Sequence, residues 1–297
     1  MNSYETMQNL VQQKLATVKT VGNLSTFKYS RRVMFDNLWK QHPETLECRG
    51  HTYDIRTGEI VQAAPRKSFN YLENGHWRDT TPDQPVIMYK KYNGFMACAT
   101  MYEGKLLVST TGTTNSDYAV LAKQQIEADA VAMKFVFEDI TCVFEIVHKD
   151  DPHIVNEKHG VYLLGWRWKD DGKWVPCEAR NGKKYIETTR QRAQEIAAKD
   201  KGEGFMMYKL TDDNEFVNSV DVCKLKTPYY VGKKLLMRMS PANTLKFYSG
   251  NFDRLPEVWD NVANEIRTTV QQEDWLLMKD QQRRVIIEDL EAEYLEI

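Results

Sequence analysis

Cysteine is scarce and unpatterned. Five residues, Cys48, Cys98, Cys142, Cys177 and Cys223, are scattered over 297 positions, with no Cys-x-x-Cys pair. That excludes a dense disulfide framework and a cysteine zinc motif. It points to a reducing, cytoplasmic setting in which the thiols pack as small apolar groups. No apolar run reaches membrane-spanning length and no basic-then-apolar leader opens the chain, so the expectation is a soluble, non-secreted protein. Internal repeats and low-complexity runs are missing as well. His148, His153 and His159 lie near one another, but their spacing matches neither a helical ligand pair nor a zinc signature, and they read as ordinary surface or core residues.

What is present suffices for a core. Hydrophobic residues make up 42% and aromatics 11%, enough for one large domain or a main domain with a small appendage. The formal charge of −2 hides an asymmetry: residues 242–297 carry −6, leaving the remainder at +4. A mildly basic body is compatible with a polyanionic ligand.

The chain is organised around Tyr89-Lys90-Lys91-Tyr92-Asn93-Gly94. Pro85–Tyr89 reads as a strand before it; Phe95–Met101 reads as another after it, turning at Glu103-Gly104 into Lys105–Val108. Lysine, any residue, a small polar residue and glycine is the spacing of covalent nucleotidyltransferases. There the lysine amine attacks the α-phosphorus of a nucleoside triphosphate, and glycine lets the backbone lie close to the ligand. An ordinary lysine amine, pKa ~10.4, is almost wholly protonated at neutral pH. The reading therefore calls for further cations or a metal ion near Lys91. Taken alone, the tetrapeptide equally suits a strand end entering a turn.

Elsewhere, residues 3–18 predict an amphipathic helix with Met7, Leu10, Val11, Leu15 and Val18 on one stripe. Leu46–Ile55 predicts a strand, and Arg49 and Lys67 are candidates for the extra cations. Ser116 or Asp117 caps a helix running to Met133. Phe135–Val147 reads as β, with Glu145 on the face of Val143 and Val147, where a carboxylate needs a partner. Val161–Trp168 is a strand, Trp174 and Gly182 belong to a hairpin excursion, and residues 188–200 form a helix. Glu203-Gly204 opens another strand. Val222–Thr227 carries Lys224 and Lys226 on one face, either around an anion or as solvated lysines on an edge strand. After Pro256, Val258, Val262, Ile266 and Val270 recur at helical spacing, and Trp275 to Tyr294 supply a second apolar face.

Together these pieces resemble the RNA ligase 1 family of T-even bacteriophages, within the lysine-adenylating nucleotidyltransferase superfamily. Leu46-Glu47-Cys48-Arg49-Gly50 and Lys67-Ser68-Phe69-Asn70 look like its upstream signature, and Lys91-Tyr92-Asn93-Gly94 its nucleophile motif. Phe144-Glu145, Glu203-Gly204 and Lys224-Leu225-Lys226 with Tyr229-Tyr230-Val231 follow in the family's order. The resemblance implies an α+β fold of the nucleotidyltransferase (ATP-grasp-like ligase) kind, with antiparallel sheets flanked by helices. Residues 1–240 would form the adenylyltransferase domain and residues 241–297 a small helical module that tunes RNA choice.

The activity implied is ATP-dependent joining of RNA 5′-phosphate and 3′-hydroxyl ends through a covalent lysyl-AMP on Lys91, in RNA or tRNA repair within the cytoplasm of an infected bacterium. By motif matching, Lys224 and Lys226 contact the nucleotide phosphates and Glu145 the ribose. Glu203 helps hold magnesium or manganese. Arg49 and Lys67 take ATP or RNA phosphates, Phe69 supports or stacks, and Asn93 and Gly94 border the nucleotide. An RNA end-processing kinase or phosphatase is the functional partner implied. Asn93 stands where the phage enzymes usually have aspartate, and an aspartate there is expected to preserve ligation. The Thr111-Gly112 turn lacks an expected lysine. The rival readings are a DNA ligase, a capping-type guanylyltransferase, or a catalytically silent RNA-binding protein of the same fold. The full set of Lys91, Glu145, Glu203, Lys224 and Lys226 argues against silence.

Overall fold

The amino-terminal helix is shorter than its apolar stripe suggests. In the computed structural model, which describes residues 1–151, 153–176, 185–210 and 222–295, α1 spans Tyr4–Gln12. Ser3 caps it by accepting from the Thr6 amide at 3.1 Å. Lys14 then takes a left-handed φ of 59° and turns the chain into β1 (Ala16–Val21). Leu15 and Val18, expected on the helix, therefore lie beyond it. β1, β2 (Leu24–Tyr29), β3 (Arg49–Asp54) and β4 (Ile60–Gln62) form an antiparallel sheet in that order, with α2 (Arg31–Phe35) between β2 and β3. The strand expected from Leu46 begins at Arg49, because a 3-10 turn over Pro43–Glu47 takes the first residues. Met7, Leu10, Phe27 and Tyr53 make the core beneath this sheet.

β5 (Phe69–Asn70) and β6 (Pro85–Lys90) precede the second sheet. That sheet joins β7 (Phe95–Tyr102), β8 (Lys105–Ser109), β9 (Ile140–Val147), β10 (Gly160–Trp168) and β11 (Trp174–Pro176) in the order β11-β10-β9-β7-β8. The β7–β8 hairpin turns at Glu103 and Gly104, both with positive φ, as a two-residue connection requires. α3 (Asp117–Ala128) is capped by Ser116 and packs Ala122 and Ile126 against Phe144 and Ile146. It stops short of Met133 because Asp129 accepts from the Val131 and Ala132 amides and starts a new turn, α4 (Ala130–Met133). β9 likewise starts later than expected, at Ile140. The hairpin expected near Gly182 lies largely outside the described residues; β11 is its described part.

The third sheet runs β12-β6-β13-β14-β5, with β12 (Ile186–Thr189), β13 (Gly204–Lys209) and β14 (Val222–Lys226). All its pairs are antiparallel except β14 with β5, a parallel exception to the antiparallel sheets expected. α5 (Arg190–Ala198) covers it, Ala193 and Ala197 meeting Met88, Met207 and Cys223. Sheets one and two are tied by a buried ion pair. Arg167 on β10 donates to Glu47 Oε2 at 2.6 Å and to the Ala64 carbonyl at 2.8 Å. Cys48, Cys98, Cys142 and Cys223 are buried, as packed thiols should be.

Five helices close the chain: α6 (Pro228–Met237), α7 (Pro241–Tyr248), α8 (Asp260–Thr269), α9 (Gln272–Leu277) and α10 (Asp280–Tyr294). Pro256 precedes a 3-10 turn, Glu257–Trp259, that leads into α8. Tyr229, Leu236 and Met237 of α6 share one core with Trp259, Ile266, Trp275 and Ile287, so packing runs across residue 240. No helix among the described residues is long and apolar enough to cross a membrane.

Candidate active site

Lys91 follows directly on β6, and its amide donates to the Gly204 carbonyl at 2.8 Å, extending the pairing of β6 with β13. This backbone link sets Lys91 beside the residue that opens β13. Its Nζ lies 2.9 Å from Glu203 Oε2. Lys90 is engaged elsewhere: its Nζ is 2.8 Å from Glu157 Oε2 and 5.0 Å from the centre of the Tyr92 ring. Of the two neighbouring lysines, Lys91 is the one paired with Glu203, which was expected to help hold a metal ion.

Glu145 comes from the middle of β9, an entirely buried strand. Its Oε1 accepts from the Gly94 amide at 3.1 Å. Burial raises its pKa, with Glu203 pushing the same way, while the Lys91 charge, the Gly94 hydrogen bond and Arg49 oppose the rise. Gly94 itself is required by packing. A Cβ there would run into the Ile146 carbonyl of β9, so the close approach that demands glycine is to a strand, whereas ligand contact was the expectation.

Asn93 is buried and uses both ends of its amide. Nδ2 donates to Glu203 Oε2 at 3.1 Å, and Oδ1 accepts from the Ile154 and Val155 amides at 2.8 and 3.1 Å. The aspartate expected to substitute freely has no such donor. Asn93 therefore joins the turn after β6, the start of β13 and the stretch before β10.

The cations called for by the motif spacing are gathered here. Burial, then Lys67, Arg49, Lys91 and Lys226, bring Lys224 down to about 6. Burial, then Lys234, bring Lys226 to about 8, although Glu203 opposes this. β14 is no edge strand: Lys224 pairs with Met206 on β13 and Asn70 on β5, and its carbonyl accepts from the Tyr71 amide at 2.9 Å. The solvated-lysine alternative thus fails. Lys67 is lowered chiefly by burial and sits 4.4 Å from the centre of the Phe69 ring. Phe69 also meets Trp39 edge-on, so it supports Lys67 from outside the cleft.

The cleft lies between sheets two and three. Val143 and Leu163 line one wall and Met206, Tyr208 and Val222 the other, with Arg49, Lys91 and Lys224 in the same lining. An apolar slot bordered by cations matches a nucleoside triphosphate. For a divalent cation, no cluster of three or more histidines, cysteines or carboxylates exists among the described residues. One available carboxylate, Glu203, fits an ion held mainly by phosphate oxygens and water, as magnesium usually is. A second cavity beside Lys91 is lined by Tyr230, quoted above in the Tyr229-Tyr230-Val231 motif, and by Arg238, which escaped the sequence reading. Arg238 caps the C-terminal end of α6, and no motif in the sequence marked it.

A family model for RNA ligases of the T4 type 1 class matches residues 47–230. The chain belongs to that RNA ligase family. The resemblance read from the ordered motifs is borne out, and the matched stretch holds every residue predicted for the site. A protein of Autographa californica nuclear polyhedrosis virus, described as a bifunctional polynucleotide kinase/RNA ligase, is 23% identical over 223 residues, 65% of this chain and 31% of that protein. The chain thus spans about a third of that curated relative's length. Two structures of an archaeal ATP-dependent RNA ligase superpose with TM-scores of 0.52. They are 13% and 14% identical to this chain and cover 95% and 96% of it, and 74% and 75% of their own chains. At that identity they show a shared α+β fold.

Proposed function

We propose that this RNA ligase family member joins RNA 5′-phosphate and 3′-hydroxyl ends at the expense of ATP, in RNA repair, through an adenylate on Lys91. The observation that carries the reading is the setting of Lys91: an amine 2.9 Å from Glu203, in a cleft shared with an apolar slot, Arg49 and the Lys224 amine. In the first step the Lys91 nitrogen bonds to the α-phosphorus, and the bond to pyrophosphate breaks. AMP then passes to the RNA 5′-phosphate, and the 3′-hydroxyl displaces it. Each displacement builds charge on phosphate oxygens, which Lys224, Lys226, Arg49 and Lys67 are grouped to meet. Glu145 orders the Lys91–Gly94 turn through the Gly94 amide and is the candidate ribose contact. Magnesium or manganese, when bound, would neutralise phosphate charge, with Glu203 as its protein ligand.

The test is incubation with α-labelled ATP and, separately, GTP, followed by a denaturing gel and joining assays on nicked RNA and DNA. Lys91→Ala should abolish the acid-labile adduct while Lys90→Ala retains it. Label persisting on the Lys91→Ala protein would reject the assignment. Transfer from GTP instead of ATP would favour a capping-type reaction.

A further inference from the structure

Asn93 ends a hydrogen-bonded path that begins on α10, outside both cavities. Arg284 spreads its guanidinium over three acceptors there. Nη1 donates to the His153 carbonyl at 2.7 Å, Nη2 to Asn156 Oδ1 at 2.8 Å and Nε to Glu288 Oε1 at 2.9 Å. At 13% exposure the side chain is no solvated surface charge. Its first two contacts brace both ends of residues 153–156, in the connection between β9 and β10. The side chains between them, Ile154 and Val155, are buried in the core shared by α6, α8 and α10. Their amides are left for Asn93 Oδ1, to which they donate at 2.8 and 3.1 Å. Asn93 Nδ2 then meets Glu203 Oε2 at 3.1 Å, the same oxygen that lies 2.9 Å from Lys91 Nζ. The contacts thus run without a gap from α10 to the reactive amine.

We propose that Arg284 is a positioning residue for adenylation of Lys91: it holds residues 153–156 so that Asn93 keeps Glu203 aligned with the amine. The inference rests on the ligase reading. Attack on the α-phosphorus depends on placement, and an error of about 1 Å can cost roughly a hundredfold in rate. Glu203 Oε2 meets two donors, Lys91 and Asn93, and Asn93 is the one that locates the carboxylate independently of the lysine. An amide has an acceptor end and a donor end, so the two backbone donors on Oδ1 settle where Nδ2 points. Those donors sit on a connecting segment, outside any sheet. The buried Ile154 and Val155 side chains give that segment adhesion without direction, because hydrophobic contact is non-directional. The planar fork of Arg284 supplies the direction. Arg284 lines neither cavity, so its loss should leave ATP binding itself alone. The competing role is a staple for α10, since Glu288 also accepts from Lys233 of α6 at 3.0 Å.

The experiment uses the full chain as wild type, Arg284→Gln, Asn93→Ala, the Arg284→Gln/Asn93→Ala double variant, and Glu288→Gln. Single-turnover labelling with α-labelled ATP gives the maximal rate of adduct formation and the half-saturating ATP concentration. Hydrogen–deuterium exchange follows the amides of residues 153–156. Arg284→Gln should lower the maximal rate about tenfold while half-saturation moves less than about twofold. It should also speed exchange at Ile154 and Val155. In the Asn93→Ala background the same substitution should cost no further rate, because the path is already cut. Glu288→Gln should lower the melting temperature yet keep the rate within about twofold of wild type. A Glu288→Gln variant slowed as much as Arg284→Gln makes the arginine a staple and overturns the proposal. Additive losses in the double variant overturn it too, as does unchanged exchange. Where Arg284→Gln folds poorly, Asn156→Ala removes one arm of the fork and decides by the same split of rate against half-saturation. Wild type that forms no adduct rejects the ligase reading, while the exchange comparison still decides whether Arg284 holds the segment.

Discussion

A single amide holds the acidic side of the cleft together. Asn93 gives a proton to Glu203 and takes two from the Ile154 and Val155 backbone. Aspartate keeps the acceptor but loses the donor, and sets a second carboxylate against Glu203 inside a buried site. Lys91, 2.9 Å from the same Glu203 oxygen, offsets part of that repulsion, while the lost donor is not replaced. Asn93→Asp should therefore cost about 1–3 kcal/mol of stability. Thermal melts of both proteins are the check, and an unchanged melting temperature would show that the Asn93 donor contributes nothing to the fold. Lys91 was legible in the sequence because four consecutive residues define its motif. The work of Asn93 was not, because its partners lie 61, 62 and 110 positions away.

At the scale of the element, β14 gathers charge that the isolated strand cannot explain. Its lysines alternate as a half-buried strand should, and that much was readable; the burial that lowers Lys224 most, and the charges that lower it further, of Lys67 just before β5 and Arg49 on β3, come only from the fold. With Lys224 near 6 in the free protein, most of this residue is neutral at pH ~7.5. A bound triphosphate favours the ammonium and raises the value, so binding must take up a proton. Calorimetric titration with ATP in buffers of differing ionisation enthalpy should show net uptake at that pH, diminishing as pH falls to about 6, and Lys224→Met should abolish most of it. Equal heats in all buffers would mean that Lys224 does not meet the nucleotide. Element boundaries were the weakest part of the sequence reading for a physical reason. Lys14 with positive φ, the 3-10 turn at Pro43–Glu47 and the Asp129 cap each cut an element by local backbone hydrogen bonding, while apolar spacing continued across the cut.

For the whole molecule, the question is whether residues 241–297 are an accessory. Their helical character and apolar faces were evident from spacing; their partner was not, because it is α6, reached only through the fold. Trp259 donates to the Pro228 carbonyl at 3.2 Å and packs so closely on α6 that a Cβ at Gly232 would overlap its ring. Buried Lys233 donates to Glu288 and Glu291 at 3.0 and 3.1 Å, so part of the tail's negative charge serves an internal pair. Arg283, also buried, donates to the Met239 carbonyl at 2.8 Å. Removing the tail would expose the apolar face of α6 and strand Lys233 without its acids. Each fully buried tryptophan is worth roughly 3–5 kcal/mol and a broken buried pair as much again, against a total stability of about 5–15 kcal/mol. α6 also carries Tyr230, whose hydroxyl shares a hydrogen bond with Asn93 and whose ring centre lies 5.0 and 5.7 Å from the Lys226 and Lys234 amines. A chain ending at Ser240 should therefore lose both the α6 helix and the Lys91 adduct, where an accessory tail would affect RNA choice alone. Circular dichroism and adenylate labelling of the truncated chain, with Trp259→Ala as the milder variant, separate the two. A truncated chain that melts cooperatively and labels like wild type would show that α6 stands without its cover.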